Sequence, residues 1–122
     1  MKHILLADDS EIILDIVKKT LTMYFKDYSI LEAKDGKDAL EKAKTYKDDI
    51  RLYVLDVNMP HIDGISLIKH IRSFDKETPI LMLTTEVEKA KIEKAKEYGA
   101  TGWIVKPFEG EKFIQIVKML LE

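Results

Sequence analysis

The sequence predicts an α/β fold, a single doubly wound (βα)5 domain whose five parallel strands lie in the order 2-1-3-4-5. Two observations predict it. Apolar runs of strand length recur at residues 3–7, 29–33, 51–55, 79–84 and 102–106, and a segment of helical period follows each. No long linker, repeat or low-complexity stretch interrupts this alternation, so residues 1–122 read as one domain. Parallel strands need crossover connections, and the helices that supply them cover both faces of the sheet.

Strands buried on both faces are apolar without alternation. "ILL" in the first run, "LYVL" in the third and "ILML" in the fourth meet that condition and belong at the centre. The second run, "SILEA", carries Glu32, and the fifth, "WIVK", alternates, which suits the two edges. The order 2-1-3-4-5 is taken from doubly wound folds in general, and the chemistry of the strands agrees with it.

Each helix should bury one apolar face. In the first, Ile12, Ile13, Ile16, Val17 and Leu21 are expected to form it, with Asp9 or Ser10 as the N-cap. The second relies on Ala39, Leu40 and Ala43, the third on Ile65, Leu67, Ile68 and Ile71, and the last on Phe113, Ile116, Val117, Leu120 and Leu121. The fourth, residues 87–98, differs. In "VEKAKIEKAKEY" the apolar content is mostly Ala90, Ile92 and Ala95, so this helix buries little and should be weakly anchored. It reads either as a solvated helix held by charge pairs such as Lys89–Glu93 or as an element built to move.

Composition narrows the function classes. Hydrophobic residues make up 46% and charged residues 34%, the balance of a soluble globular chain with a real core. No apolar run approaches a membrane span, and no signal segment is visible, so a cytoplasmic protein is expected. With no cysteine, disulfides, thiol chemistry and cysteine-bound metal are excluded. The net charge of −2, with both signs spread along the chain, leaves no footprint for nucleic acid or an anionic membrane. A monomer is expected, because no exposed apolar stripe is evident.

Polar residues close the strands. The first run ends in Asp8 and Asp9, the third in Asp56, the fourth in Thr84 and the fifth in Lys106. In an open parallel sheet, ligands bind beyond the carboxyl ends of the strands, where the strand order reverses. Singly, these residues have structural explanations: Asp9 as a helix cap, Asp56 as a turn acid before Asn58 and Pro60, Lys106 as an exposed base. Five of them at one sheet edge make a site. Adjacent carboxylates beyond an apolar strand are costly unless a cation joins them, and an oxygen-only cluster without His or Cys suits Mg²⁺. Asp56, at the mouth of a central strand, could attack phosphorus and form an aspartyl-phosphate. Phosphoryl transfer needs positioning and charge neutralisation more than acid–base work, which Lys106 and the Thr84 hydroxyl could supply. His3, His61 and His70 are scattered and read as surface or strand-start residues.

In "LLADDS", "LYVLDVNMPHIDG", "ILMLTT" and "GATGWIVKPF" the sequence resembles the receiver domain of two-component response regulators, over its whole length. The resemblance implies a flavodoxin-like, CheY-like fold and a phosphorylation-activated signalling switch rather than an enzyme acting on a substrate. It implies that Asp56 accepts phosphate from a histidine kinase, and that Asp9, Asp56 and the Asn58 backbone carbonyl ligate Mg²⁺ with Asp8 acting through water. It casts Thr84 and Lys106 as the groups that sense and hold the phosphoryl group, and implies a cis bond between Lys106 and Pro107. The family's aromatic switch falls at Trp103, where Tyr or Phe is usual. Trp103 reads equally as that switch or as an edge-strand aromatic covering the fourth helix. The signalling surface implied is helix 4, strand 5 and helix 5.

Asn58 and Glu86, each two residues past a key group, resemble the CheY-like chemotaxis subgroup and bear on phosphoryl lifetime. With no linker or further domain after Glu122, the expected output is a contact with the flagellar motor switch. The rivals are a phosphorelay intermediate serving a histidine phosphotransferase, a receiver cut from a longer regulator, and, from another class, a small phosphohydrolase with an Asp nucleophile. The last lacks a second Asp at position 58 and room for a substrate cap. A flavin carrier is disfavoured because "DDSE" would repel a phosphate where that fold needs a hydroxyl- and glycine-rich loop.

Asn58 and Gln115 are the sole amides, against abundant Lys and Glu, a pattern of proteins from hot-growing organisms. The expected thermal midpoint therefore lies above the mesophile cluster of about 45–65 °C. A calorimetric scan that falls inside it removes this expectation.

Overall fold

The computed structural model describes residues 1–122. Five strands, β1 (Lys2–Ala7), β2 (Tyr28–Ala33), β3 (Ile50–Leu55), β4 (Ile80–Thr84) and β5 (Gly102–Val105), alternate with five helices. These are α1 (Glu11–Tyr24), α2 (Gly36–Thr45), α3 (Gly64–Arg72), α4 (Lys89–Tyr98) and α5 (Gly110–Leu121). The strands form one parallel sheet in the order β2-β1-β3-β4-β5.

Because successive strand residues point to opposite faces, the core is divided in two by the sheet. Leu5, Tyr53, Leu55, Ile80 and Met82 face one way, under Ala39 and Ala43 of α2, Leu67, Ile68 and Ile71 of α3, and Ala95 of α4. Ile4, Leu6, Leu52, Val54, Leu81 and Leu83 face the other, under Leu14, Val17 and Leu21 of α1 and Phe113 and Val117 of α5. β1, β3 and β4 are buried almost throughout, whereas β2 and β5 are mostly half-buried.

Helix starts follow local chemistry. Ser10, not Asp9, caps α1, its hydroxyl accepting the Ile13 N–H at 3.4 Å. Asp35 caps α2, and Asp63 caps α3 by accepting the N–H groups of both Ile65 and Ser66 at 2.9 Å. Neither α4 nor α5 has a side-chain cap. Of α4, only Ala95 is buried, and its Lys89–Glu93 pair is exposed at 4.0 Å. Its far end is fixed: Gly99 adopts φ 112, and the Arg72 guanidinium donates to the Gly99 carbonyl at 2.9 and 3.2 Å.

Three expectations need correction. The buried face of α1 is Leu14, Val17 and Leu21, with Ile13 half-buried, while Ile12 and Ile16 are exposed. Two apolar series overlap in this helix, and the i, i+3, i+7 spacing of Leu14, Val17 and Leu21 is the one that meets the sheet. Consequently an exposed apolar stripe does exist: Ile12, Ile16 and Met23 are 73%, 47% and 65% exposed. The fourth helix begins at Lys89 rather than at 87, because Val87 and Glu88 belong to an ordered loop described below. Of the histidines, His3 is a buried strand-start residue stacked edge-on against Tyr46, and His61 is exposed with φ 70.

Gly64, the first residue of α3, donates its N–H to the Val57 carbonyl at 2.7 Å, drawing the helix against the loop after β3. A Cβ there would lie 2.0 Å from the Asp56 carbonyl oxygen, with backbone on every near side. Gly64→Ala is therefore expected to destabilise by about 1–3 kcal/mol. Gly110→Ala, whose Cβ meets nothing within 4 Å, leaves the denaturant midpoint unchanged or raised.

Candidate functional site at the carboxyl edge of the sheet

The site is built by strand ends. β1 continues into Asp8 and Asp9, β3 into Asp56, β4 finishes on Thr84 and β5 leads into Lys106. Ladder-like bonds fix their backbones: Asp8 donates to the Ala33 carbonyl at 3.0 Å, Asp56 to Ala7 at 2.9 Å and Lys106 to Thr84 at 2.8 Å. The Lys106–Pro107 peptide is cis.

Three of these side chains are withdrawn from water: Asp8 is 2% exposed, Asp56 5% and Thr84 0%. Lys106 is nearly buried as well. Its ammonium donates to Asp8 Oδ2 at 2.7 Å and lies 3.8 Å from Asp56 Oδ2. Asp8 Oδ1 accepts the Ser10 N–H at 2.9 Å, so both of its oxygens are occupied. Asp9 is exposed on the rim. Asp56 stands apart, because its Oδ1 is buried and has no hydrogen-bond partner.

Electrostatics follow from this geometry. Burial pushes the Asp56 carboxyl above the ordinary carboxylate range. The Thr84 hydroxyl pulls it down, Asp8 pushes it further up, and Lys106 opposes the rise. Asp8, Asp9 and Asp56 offer carboxylate oxygens that all lie within 4.8 Å of one another. The donor set is oxygen only and includes one orphaned buried oxygen, which fits a small hard dication.

Around the rim, Asn58 is exposed two residues beyond Asp56. The loop after β4 is tightly tied. Thr84 Oγ1 accepts the Glu86 N–H at 3.1 Å, and the Trp103 indole N–H donates to the Glu86 carbonyl at 3.2 Å. Trp103 is half-buried and packs against the core face that lies under α2, α3 and α4. The Glu86 carboxylate accepts from Lys91 Nζ at 2.8 Å and from the Glu88 N–H at 3.2 Å. The Lys91 ammonium holds the Glu86 carboxyl below its usual range. The structure thus gathers Asp8, Asp9, Asp56, Thr84 and Lys106 at one edge, with Asn58, Glu86 and Trp103 around it. Lys91 carries no sequence signal for this position, since its ion pair with Glu86 spans a loop and a helix start.

This fold and site define a class. The chain matches the response regulator receiver domain family over residues 4–118 and belongs to it. Within that family it is similar to the CheY chemotaxis regulators. It is 37% identical to a chemotaxis protein CheY homolog of Campylobacter jejuni, over 98% of this chain and 88% of that one. A solved structure of Vibrio cholerae CheY4 superposes with a TM-score of 0.86 at 41% identity, covering 99% of both chains. The chain is also 38% identical to the alkaline phosphatase synthesis transcriptional regulatory protein PhoP of Bacillus subtilis, over 98% of its own length and 48% of that protein's. As in other receiver domains, the fold is that of a signalling protein. No helix is long and apolar enough to cross a membrane.

A buried carboxylate with an unmet oxygen weakens the fold that holds it. In metal-free buffer at pH 7, Asp56→Asn is expected to be more stable than the parent by about 0.5–2 kcal/mol. Because burial raises the Asp56 pKa, the parent's deficit is complete above that raised value. It disappears as pH falls through the ordinary carboxylate range. Denaturant midpoints of both proteins between pH 3.5 and 7 should therefore converge on acidification, and a constant gap would contradict this origin.

Proposed function

We propose that the chain is a phosphorylation-activated switch in which Asp56 accepts a phosphoryl group from a histidine kinase. One observation carries this reading. Asp56 Oδ1 is buried, unpartnered and at the mouth of a central strand, a nucleophile held ready rather than a structural acid. Residues 1–122 act as one receiver domain in this reading, working in the cytoplasm.

The kinase phosphohistidine brings phosphorus to the carboxyl edge. Asp56 attacks it, an oxygen–phosphorus bond forms, the phosphorus–nitrogen bond breaks, and the histidine leaves with a proton from solvent. Lys106, already within 3.8 Å of Asp56 Oδ2, keeps a cation beside the incoming phosphoryl oxygens, and the Thr84 hydroxyl donates to another. Asp9, Asp56 and the Asn58 carbonyl would hold Mg²⁺, with Asp8 acting through water. When bound there, the ion offsets the negative charge gathered around phosphorus. Asn58 and Glu86 flank the approach of the water that ends the signal.

Thr84 carries the response outward. Its hydroxyl accepts the Glu86 N–H, and Glu86 in turn meets Trp103 of β5 and Lys91 of α4. Drawing Thr84 toward a phosphoryl group reorders that loop and shifts the population of α4–β5–α5 conformations. The weak anchoring of α4 supports this. The similarity to chemotaxis regulators supports an output protein of the flagellar motor switch, reached through that face.

Intact mass over time, with Mg²⁺ and a small phosphodonor such as phosphoramidate, tests the chemistry. A single phosphoryl adduct is expected, absent in Asp56→Ala and lost when Mg²⁺ is chelated. Multiple turnover on a phosphate ester, or no adduct at all, overturns the assignment. Decay within seconds to minutes after donor removal supports the chemotaxis output, whereas persistence for hours favours a relay to a histidine phosphotransferase.

A further inference from the structure

Glu86 is bonded through every polar group it possesses. Its N–H goes to Thr84 Oγ1, its carbonyl accepts from Trp103 Nε1, and its two carboxylate oxygens accept from Lys91 Nζ and from the Glu88 N–H. The side chain is 17% exposed, and Lys91 covers it from the first turn of α4. No other residue joins the strand-end threonine, β5 and α4 in this way.

The pairing also completes the start of α4. That helix has no side-chain cap, and its first turn carries Lys89 and Lys91 where acids are favourable. The Glu86 carboxylate supplies the missing anion and takes up one orphan N–H. Glu86 is therefore held at the start of the helix by the Lys91 ammonium and by the Glu88 N–H.

We propose that Lys91 is a positioning residue for the lifetime of the phosphoryl group at Asp56: it keeps the Glu86 carboxylate docked on α4 and out of the path of attacking water. The inference rests on Asp56 being the phosphoacceptor. Hydrolysis joins a water oxygen to phosphorus and breaks the bond from phosphorus to Asp56, whose oxygen keeps the electron pair. The water proton must go elsewhere. A released Glu86 carboxylate, on the residue whose own backbone N–H bonds Thr84 Oγ1, accepts that proton and speeds the step. Because the Glu86 carboxylate bonds the start of α4, a partner that holds α4 in this position also keeps Glu86 docked and lengthens the signal.

The test is the decay rate of the phosphoryl adduct, by intact mass after donor removal, in the parent, Lys91→Met, Lys91→Arg, Glu86→Gln and the Lys91→Met/Glu86→Gln pair. Lys91→Met should decay about two- to five-fold faster, while Lys91→Arg keeps the parental rate. In the Glu86→Gln background, Lys91→Met should add nothing, because the lysine acts only through the carboxylate. Parental decay in Lys91→Met overturns the proposal, as does an undiminished effect in the Glu86→Gln background. Thermal midpoints within a few degrees of the parent separate these rates from a general loosening. Failure of the parent to form any adduct would instead defeat the phosphoacceptor assignment itself.

Discussion

The ammonium of Lys106 lies 2.7 Å from Asp8 and 3.8 Å from Asp56, almost out of reach of water, and the carboxyl edge of the sheet depends on it. Two strands deliver three acids to one place, and two of those acids are buried. Without a cation the edge would be held apart by its own charge. Lys106 can sit there because β5 pairs with β4 through Thr84 and Val105 and its own N–H bonds Thr84. Sheet register, more than any side-chain preference, brings the charge to the site. Asp8 takes the lysine directly, so Asp56 receives only partial relief and keeps one oxygen unmet. The fold bears a local instability at Asp56, at the mouth of a central strand.

Around that edge, anchoring is uneven. α1, α2 and α3 begin with capping side chains and bury several residues each, whereas α4 begins without one and buries Ala95 alone. Its C-terminal end is held by Arg72 through the Gly99 carbonyl, and its start is held through Glu86. One end is thus fixed to the body of the protein and the other to the loop leaving the site. Such a helix can respond at its start while its far end stays in register, which confines a displacement to the loop that follows Thr84.

Much of this was legible in the residues. Central and edge strands and the strand-end site follow from which runs are apolar and which residue closes each, because burial on two faces leaves little freedom of composition; the strand order itself comes from doubly wound folds in general, and the composition only agrees with it. α1 was less legible: Ile12 and Ile16 are as apolar as Leu14 and Val17, and only the direction of the sheet tells them apart. The beginning of α4 was also obscured, since "EVEKAK" has helical chemistry throughout. Tertiary bonds to Glu86 decide that Val87 stays outside. Lys91 could not be found from sequence, because its partner is five residues away across a turn, and that pairing exists only once the loop is folded.

The chain contains one tryptophan, and its ring nitrogen is bonded to the carbonyl of the residue that meets both Thr84 and α4. Indole emission excited to the red of tyrosine absorption is therefore a single-site signal, with no second indole to dilute it. Native light output reads the loop between β4 and α4 without a label. The molecule carries its own optical gauge at the junction between the strand-end threonine and α4.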